Sequence, residues 1–260
     1  MMNIILSVPD NDADTWINNV SELEGIDNLE VSPASIADQR NFTRIVRKAG
    51  LQIRTIRELI PQEVGRNLES LTAEEKGRTV AALHDKIAMY SEEGVETVSL
   101  SLGLRNTTRI NDEALEQRIT FVRRLLTALE SRSMQVLISV RYPPPYPGSL
   151  AWEAATNIVH DVMHPACRIR AEIYDGEIED GFAIAPFVKS CAFHLGGLKF
   201  VYEPMLGETP RLDDLRCWLD NLQWHGYRGD IVFAPKVTGA DAVRTACRKV
   251  AQYAQALHRG

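Results

Sequence analysis

The feature that most constrains this chain is a rhythm of eight short apolar runs, separated by stretches with helical or loop character. The runs read NIILSVP, NLEVSP, LQIRTI, VETVSLSL, MQVLISVRY, CRIRAEIY, LKFVYEP and DIVFAP. Strand and helix in alternation imply a parallel sheet covered by helices. The helical stretches carry their own punctuation. The segment Phe42 to Gly50 ends on a glycine, and Thr72 to Gly94 opens with Thr72 followed three residues on by Glu75, a reciprocal N-terminal cap, and also closes on glycine. NDEALEQRITFVRRLLTALESR and RLDDLRCWLDNLQWHG repeat apolar residues at three and four, and GADAVRTACRKVAQYAQALHRG supplies a helix after the last strand.

Eight such units in 260 residues fit the size of an α/β (β/α)8 TIM barrel. No linker rich in Ser, Gly or Pro divides the chain, so one barrel domain over residues 1–260 is expected. A doubly wound open sheet would place a glycine-rich phosphate loop after its first strand, and SVPDNDADT contains none.

Alternation along a strand sends one set of side chains into the barrel lumen and the other into the helix layer. In VLISVRY the β-branched set Val136, Ile138 and Val140 suits the helix layer, leaving Ser139 and Arg141 inward. The same rule places Arg170, Glu172 and Tyr174 inside, together with Glu30 and Ser32, Ser99 and Ser101, and Ala234 and Lys236. LKFVYEP is ambiguous between Lys199/Glu203 and Phe200/Tyr202. Charged groups are costly to bury unless paired or bound to a ligand, so carboxylates and cations gathered at strand ends make a candidate site.

Composition narrows the classes of function. A net charge of −6 disfavours a protein built to neutralise phosphate backbones, so no nucleic-acid partner is expected. The four cysteines, Cys167, Cys191, Cys217 and Cys247, have neither CxxC pairing nor metal-type spacing and read as free thiols in a reducing compartment. No apolar run approaches the roughly 20 residues a spanning helix needs, and the start MMNIILSVPD turns polar too soon for a signal peptide. The expectation is a cytoplasmic protein with no membrane partner.

The stretch Asn67 to Gly103, NLESLTAEEKGRTVAALHDKIAMYSEEGVETVSLSLG, with NLEVSP near the start and GYRGDIVFAP near the end, resembles the xylose isomerase-like TIM-barrel family of sugar isomerases, epimerases and endonuclease IV-like proteins. The resemblance covers most of the chain. It implies a divalent metal, held by a glutamate ending the fifth strand, an aspartate and histidine around the sixth, a histidine at the seventh and a glutamate ending the eighth. In the epimerases the two glutamates also carry the acid/base work. On this sequence those positions fall on Arg141, on Glu172 and Asp175, near Tyr202 or Glu203, and on Ala234; the fourth-strand histidine of some members is Ser101.

An arginine therefore stands where the family keeps a metal-binding glutamate. A guanidinium has no lone pair for a metal, but its fixed charge can hold a carboxylate, phosphate or enolate oxygen. Two alternatives for the cofactor stay open: manganese, zinc, cobalt or magnesium on Glu172, Asp175 and Glu203, or no metal with Arg141 as the replacement charge. The implied catalytic set is Glu172, Glu203 and Arg141. Glu30, Lys236, Arg105, Tyr142 and Asp175 are candidates for substrate binding, and Tyr142 and Tyr146 in RYPPPYPG can stack on a sugar ring.

The function implied is a divergent isomerase or epimerase of a small carbohydrate, or its acid or phosphate, working by proton abstraction beside a carbonyl. The competing class is a sugar- or metabolite-binding protein on the same scaffold, without turnover. A homo-oligomer is also implied, dimers and tetramers being common in the family. His160 and His164 share a helical face at a zinc-compatible spacing, but the outer helix layer and the lack of a suitable glutamate favour a solvated helix end. His194 and His225 precede the seventh and eighth strands, where packing roles dominate, and the glycines of LGGLKF read as a helix stop.

Overall fold

The computed structural model describes residues 3–9, 13–34, 39–104, 110–142, 150–174, 194–202, 220–237 and 239–258. The eight strands are β1 Ile4–Ser7, β2 Asn28–Val31, β3 Gln52–Ile56, β4 Thr97–Leu100, β5 Gln135–Tyr142, β6 Cys167–Tyr174, β7 Leu195–Tyr202 and β8 Asp230–Pro235. They pair in chain order, β8 returning to β1, as a closed parallel barrel, the (β/α)8 architecture expected from the sequence. The described helices are α1 Ala13–Val20, α2 Gln39–Lys48, α3 Gln62–Arg66, α4 Ala73–Glu92, α5 Asp112–Glu130, α6 Leu150–Val162 and α7 Ala240–His258. By contact density the chain divides into two compact units, Met1–Ile53 with Glu172–Gly260, and Arg54–Ala171.

In the first unit β1 lies between β2 and β8, with Ser7 opposite Glu30 and Leu6 opposite Phe233. β7 joins the far side of β8, with Phe200 opposite Phe233. Phe233 stacks on Phe200, centroids 5.7 Å apart, and on Tyr253 of α7, 5.4 Å apart. This aromatic column fixes the helix-facing side of β7 and β8; such pairs contribute about 0.5–1.5 kcal/mol each beyond the area they bury. It also settles the ambiguous strand: with Phe200 toward α7, Lys199 takes the opposite face and is 6% exposed. The glycines of LGGLKF, expected to stop a helix, lie inside β7 instead, which begins three residues earlier than the sequence suggested. The chain passes so close to Gly196 at Gly229 that a Cβ on Gly229 would collide with the Gly196 carbonyl.

In the second unit β4 runs beside β5, Ser99 opposite Leu137 and Leu100 opposite Ile138. Val136, Ile138 and Val140 are fully buried, as their β-branched character requires of the helix-facing set. Helix α4 starts with the reciprocal cap read from the sequence: the Glu75 amide donates to Thr72 Oγ1, and the Glu75 carboxylate accepts from the Thr72 amide at 2.8 Å. Those hydrogen bonds hold the Glu75 carboxyl below the ordinary glutamate range. α5 begins with Asn111 accepting from the Ala114 amide at 2.7 Å.

Two glycines of this unit predict opposite outcomes. Gly77 is exposed in α4 with open space at its Cα, so Gly77→Ala should add about 1 kcal/mol of stability and raise Tm by roughly 2–4 °C. Gly103 has φ +73° and a Cβ there would stand 2.7 Å from the Arg66 Cα, so Gly103→Ala should cost at least about 2 kcal/mol. Thermal melts of the two variants check both signs.

Candidate active site

Polar groups collect on the interior face of the strands in both units. In the first unit Glu30 of β2 is fully buried and accepts a hydrogen bond from Ser7 Oγ of β1 at 2.9 Å. The Lys199 ammonium of β7 donates to the same Glu30 oxygen, Oε1, in a buried ion pair. Glu172 of β6 is also fully buried. Two residues further on, the Tyr174 ring lies 5.1 Å from the Lys236 ammonium, a cation–π contact at the strand tips. Lys236 itself is exposed just beyond β8. Among the described residues, the strands of this unit thus carry two buried carboxylates and one buried ammonium, with the Lys236 ammonium facing solvent just beyond β8.

In the second unit Arg170 of β6 is fully buried, with its guanidinium held by two serines: Nε donates to Ser139 Oγ of β5 and Nη2 to Ser99 Oγ of β4, each at 2.9 Å. Ser99 Oγ also accepts from the Glu58 amide at 3.2 Å, and the Ser99 carbonyl accepts from the Leu59 amide at 2.9 Å, tying the turn after β3 to β4. Arg141, one residue before the end of β5, is exposed.

The structure thus buries Glu30 and Glu172 on the interior side, and it puts Arg141 and Lys236 in solvent at strand ends. Tyr142 ends β5. Arg105, Asp175 and Glu203, with Tyr146, lie outside the described residues. The sequence reading placed Arg170 inside without a role in the site, left Lys199 undecided, and did not single out Ser7 at all. A lysine in an otherwise apolar strand was the available signal for Lys199. It failed because the same seven residues also offer an aromatic set on the other parity, and the two are distinguished by partners distant in sequence, Glu30 for Lys199 and Phe233 for Phe200.

Of the positions on which the resemblance would place metal ligands, Arg141 and Ala234 have side chains that are not metal donors, and Asp175 and Glu203 lie outside the described residues. No group of three His, Cys, Asp or Glu able to hold a metal occurs among the described residues. His160 is paired with its neighbour Asp161 at 3.1 Å, and His164 approaches Glu130 at 3.5 Å, so each has a local partner at the end of α6. Burial pushes the thiols of Cys167 and Cys247 up to about 12, so neither supplies a thiolate nucleophile at neutral pH. No described helix is long and apolar enough to cross a membrane.

Comparison with solved structures gives the same architecture. D-psicose 3-epimerase from Clostridium cellulolyticum H10, solved with D-tagatose, aligns at TM-score 0.67 and 15% identity over 100% of this chain and 98% of its own. The 3-keto-D-glucoside 4-epimerase of E. coli aligns at TM-score 0.70 and 11% identity over 97% of this chain and 100% of its own. A family 2 AP endonuclease from Brucella melitensis aligns at TM-score 0.68 and 15% identity, covering 94% and 97%. No protein-family model and no curated sequence matches the chain.

Elemental mass spectrometry of protein purified without chelators and then dialysed should find divalent metal well below one equivalent. A full equivalent would place the ligands on Glu172 with Asp175 and Glu203. At identities this low the likeness establishes the fold, and the chain has the xylose isomerase-like TIM-barrel fold shared by sugar epimerases and AP endonucleases.

Proposed function

We propose that the protein is an isomerase or epimerase of a small carbohydrate, or of its acid or phosphate ester, acting by proton transfer at the carbon beside a carbonyl. The observation that carries this reading is Glu172: a wholly buried carboxylate on β6, two residues below the Tyr174–Lys236 pair. A carboxylate held in place can take a proton from a carbon beside it, and an ammonium at the strand tips offsets charge as it develops on oxygen.

In the proposed reaction Glu172 removes the proton from the carbon next to the carbonyl. The C–H electron pair moves into a carbon–carbon double bond, the carbonyl oxygen gains the negative charge, and the Lys236 ammonium stabilises the enediolate. Return of the proton to the former carbonyl carbon, with the neighbouring hydroxyl's proton passing to the former carbonyl oxygen so that the C=O re-forms at the deprotonated carbon, gives the isomer. Its return from the opposite face gives the epimer, which needs a second acid, and Glu203 is the candidate for it. The sugar epimerases among the similar folds support the substrate class, and Tyr174, already facing a cation, suits a surface on which a sugar ring packs.

The reaction leaves a mark independent of product identity. Ketoses, aldoses and their acids and phosphates incubated with the protein in D2O should gain deuterium at the carbon beside the carbonyl, read by proton NMR. Glu172→Gln should slow that exchange by at least about 100-fold with little change in Tm. Exchange at the parent rate in Glu172→Gln refutes the assignment. Binding of a sugar without exchange would favour the non-catalytic binding protein.

A further inference from the structure

The tip of β4 carries a feature that the proposed proton transfer does not use. Ser101, the residue after the strand, is 2% exposed, and its Oγ has no hydrogen-bond partner among the described residues. A buried hydroxyl without a partner is destabilising and calls for a reason. The backbone around it is strained as well. Leu102 has φ +48° and Glu58, whose amide meets Ser99 Oγ, has φ +51°; neither is a glycine. Each such residue is strained and persists only where its surroundings impose it.

Here the imposing group is Arg118 of α5, 3% exposed, whose Nε donates to the Leu102 carbonyl at 3.0 Å and whose Nη1 lies 3.1 Å from Glu69. The turn is closed by the Leu104 amide donating to the Ser101 carbonyl at 2.9 Å. The Ser101 hydroxyl is thus held in place while its own hydrogen-bonding capacity is left over.

The register of β4 and β5 shows what stands beside it. Leu100 pairs with Ile138, so Ser101 is level with Ser139, and Arg141 follows two residues on along the same face of β5. A neutral donor–acceptor and, one step nearer solvent, a permanent cation then lie in sequence along neighbouring strand tips.

We propose that Ser101 is a substrate-binding residue and that, with Arg141, it selects an anionic sugar: the hydroxyl takes a sugar hydroxyl, and the guanidinium takes a carboxylate or phosphate oxygen. The inference rests on the proposed function for one point, that the ligand is a sugar. Two serines already orient the buried Arg170, so Ser139 and Ser99 are engaged within the protein while Ser101 is reserved for a ligand.

Titration calorimetry tests the proposal without requiring turnover. The probes are fructose 6-phosphate, gluconate, fructose and inorganic phosphate. Fructose 6-phosphate or gluconate should bind more tightly than fructose by at least about tenfold, and the better of the two identifies the anion. Arg141→Gln should remove that preference, and Arg141→Lys should restore part of it. Ser101→Ala should weaken the preferred sugar by roughly fivefold while leaving inorganic phosphate unchanged. Because it deletes an unsatisfied hydroxyl, Ser101→Ala should also raise the Tm of the ligand-free protein.

The proposal is overturned if fructose binds as tightly as both anions, if inorganic phosphate matches fructose 6-phosphate, or if Ser101→Ala binds like the parent. Its failure is separable from failure of the proposed reaction. Deuterium exchange in the parent protein as fast into fructose as into fructose 6-phosphate at equal subsaturating concentration would keep the reaction and remove the anion site. Selective binding of the anions with no exchange anywhere would keep the anion site and remove the reaction.

Discussion

The ion pair between Lys199 and Glu30, with Ser7 as the third member, is the interaction on which the interior of the first unit depends. It joins β1, β2 and β7, and a lysine drawn inward fixes the parity of its whole strand. Phe200 then has to face the helix layer, where Phe233 and Tyr253 receive it. A slip of one residue would expose that aromatic column to the lumen and send the ammonium into the apolar layer. Register and charge pairing thereby enforce one another.

Much of the fold was legible in the sequence because it follows from local rules. The eight apolar runs became eight strands, the Thr72–Glu75 cap formed as read, and the alternation in VLISVRY put Val136, Ile138 and Val140 in the buried layer. The interior placement of Glu30 and Glu172 came from the same alternation. What was not legible depended on neighbours distant in sequence. Lys199 and Glu30 are 169 residues apart, and nothing local in LKFVYEP says which face meets α7. Gly196 and Gly197 look the same whether they stop a helix or sit in a strand beside a close backbone crossing. Alternation gives the side of a strand but not its depth, so Arg141 and Lys236 reach solvent while Glu172 does not.

The polar interior is expensive. Buried ion pairs rarely improve on apolar packing, a hydroxyl without a partner among the described residues and two strained residues at strand tips add further cost, and buried Arg170 engages two serines. Such features gather where a protein gives up stability for chemistry. On this account the interior charges are kept for a ligand, and the surrounding aromatic and β-branched layer supplies the stability that tolerates them.

A double-substitution cycle on the Lys199–Glu30 pair, followed by urea unfolding and by ligand-dependent proton exchange, tests that claim most directly. Lys199→Met or Glu30→Leu alone leaves a buried charge without its partner and should cost about 3–5 kcal/mol. The double variant should recover most of the loss yet no longer exchange a sugar proton or bind the ligand. A double variant as unstable as the single ones, or one that is stable and fully functional, would contradict the account.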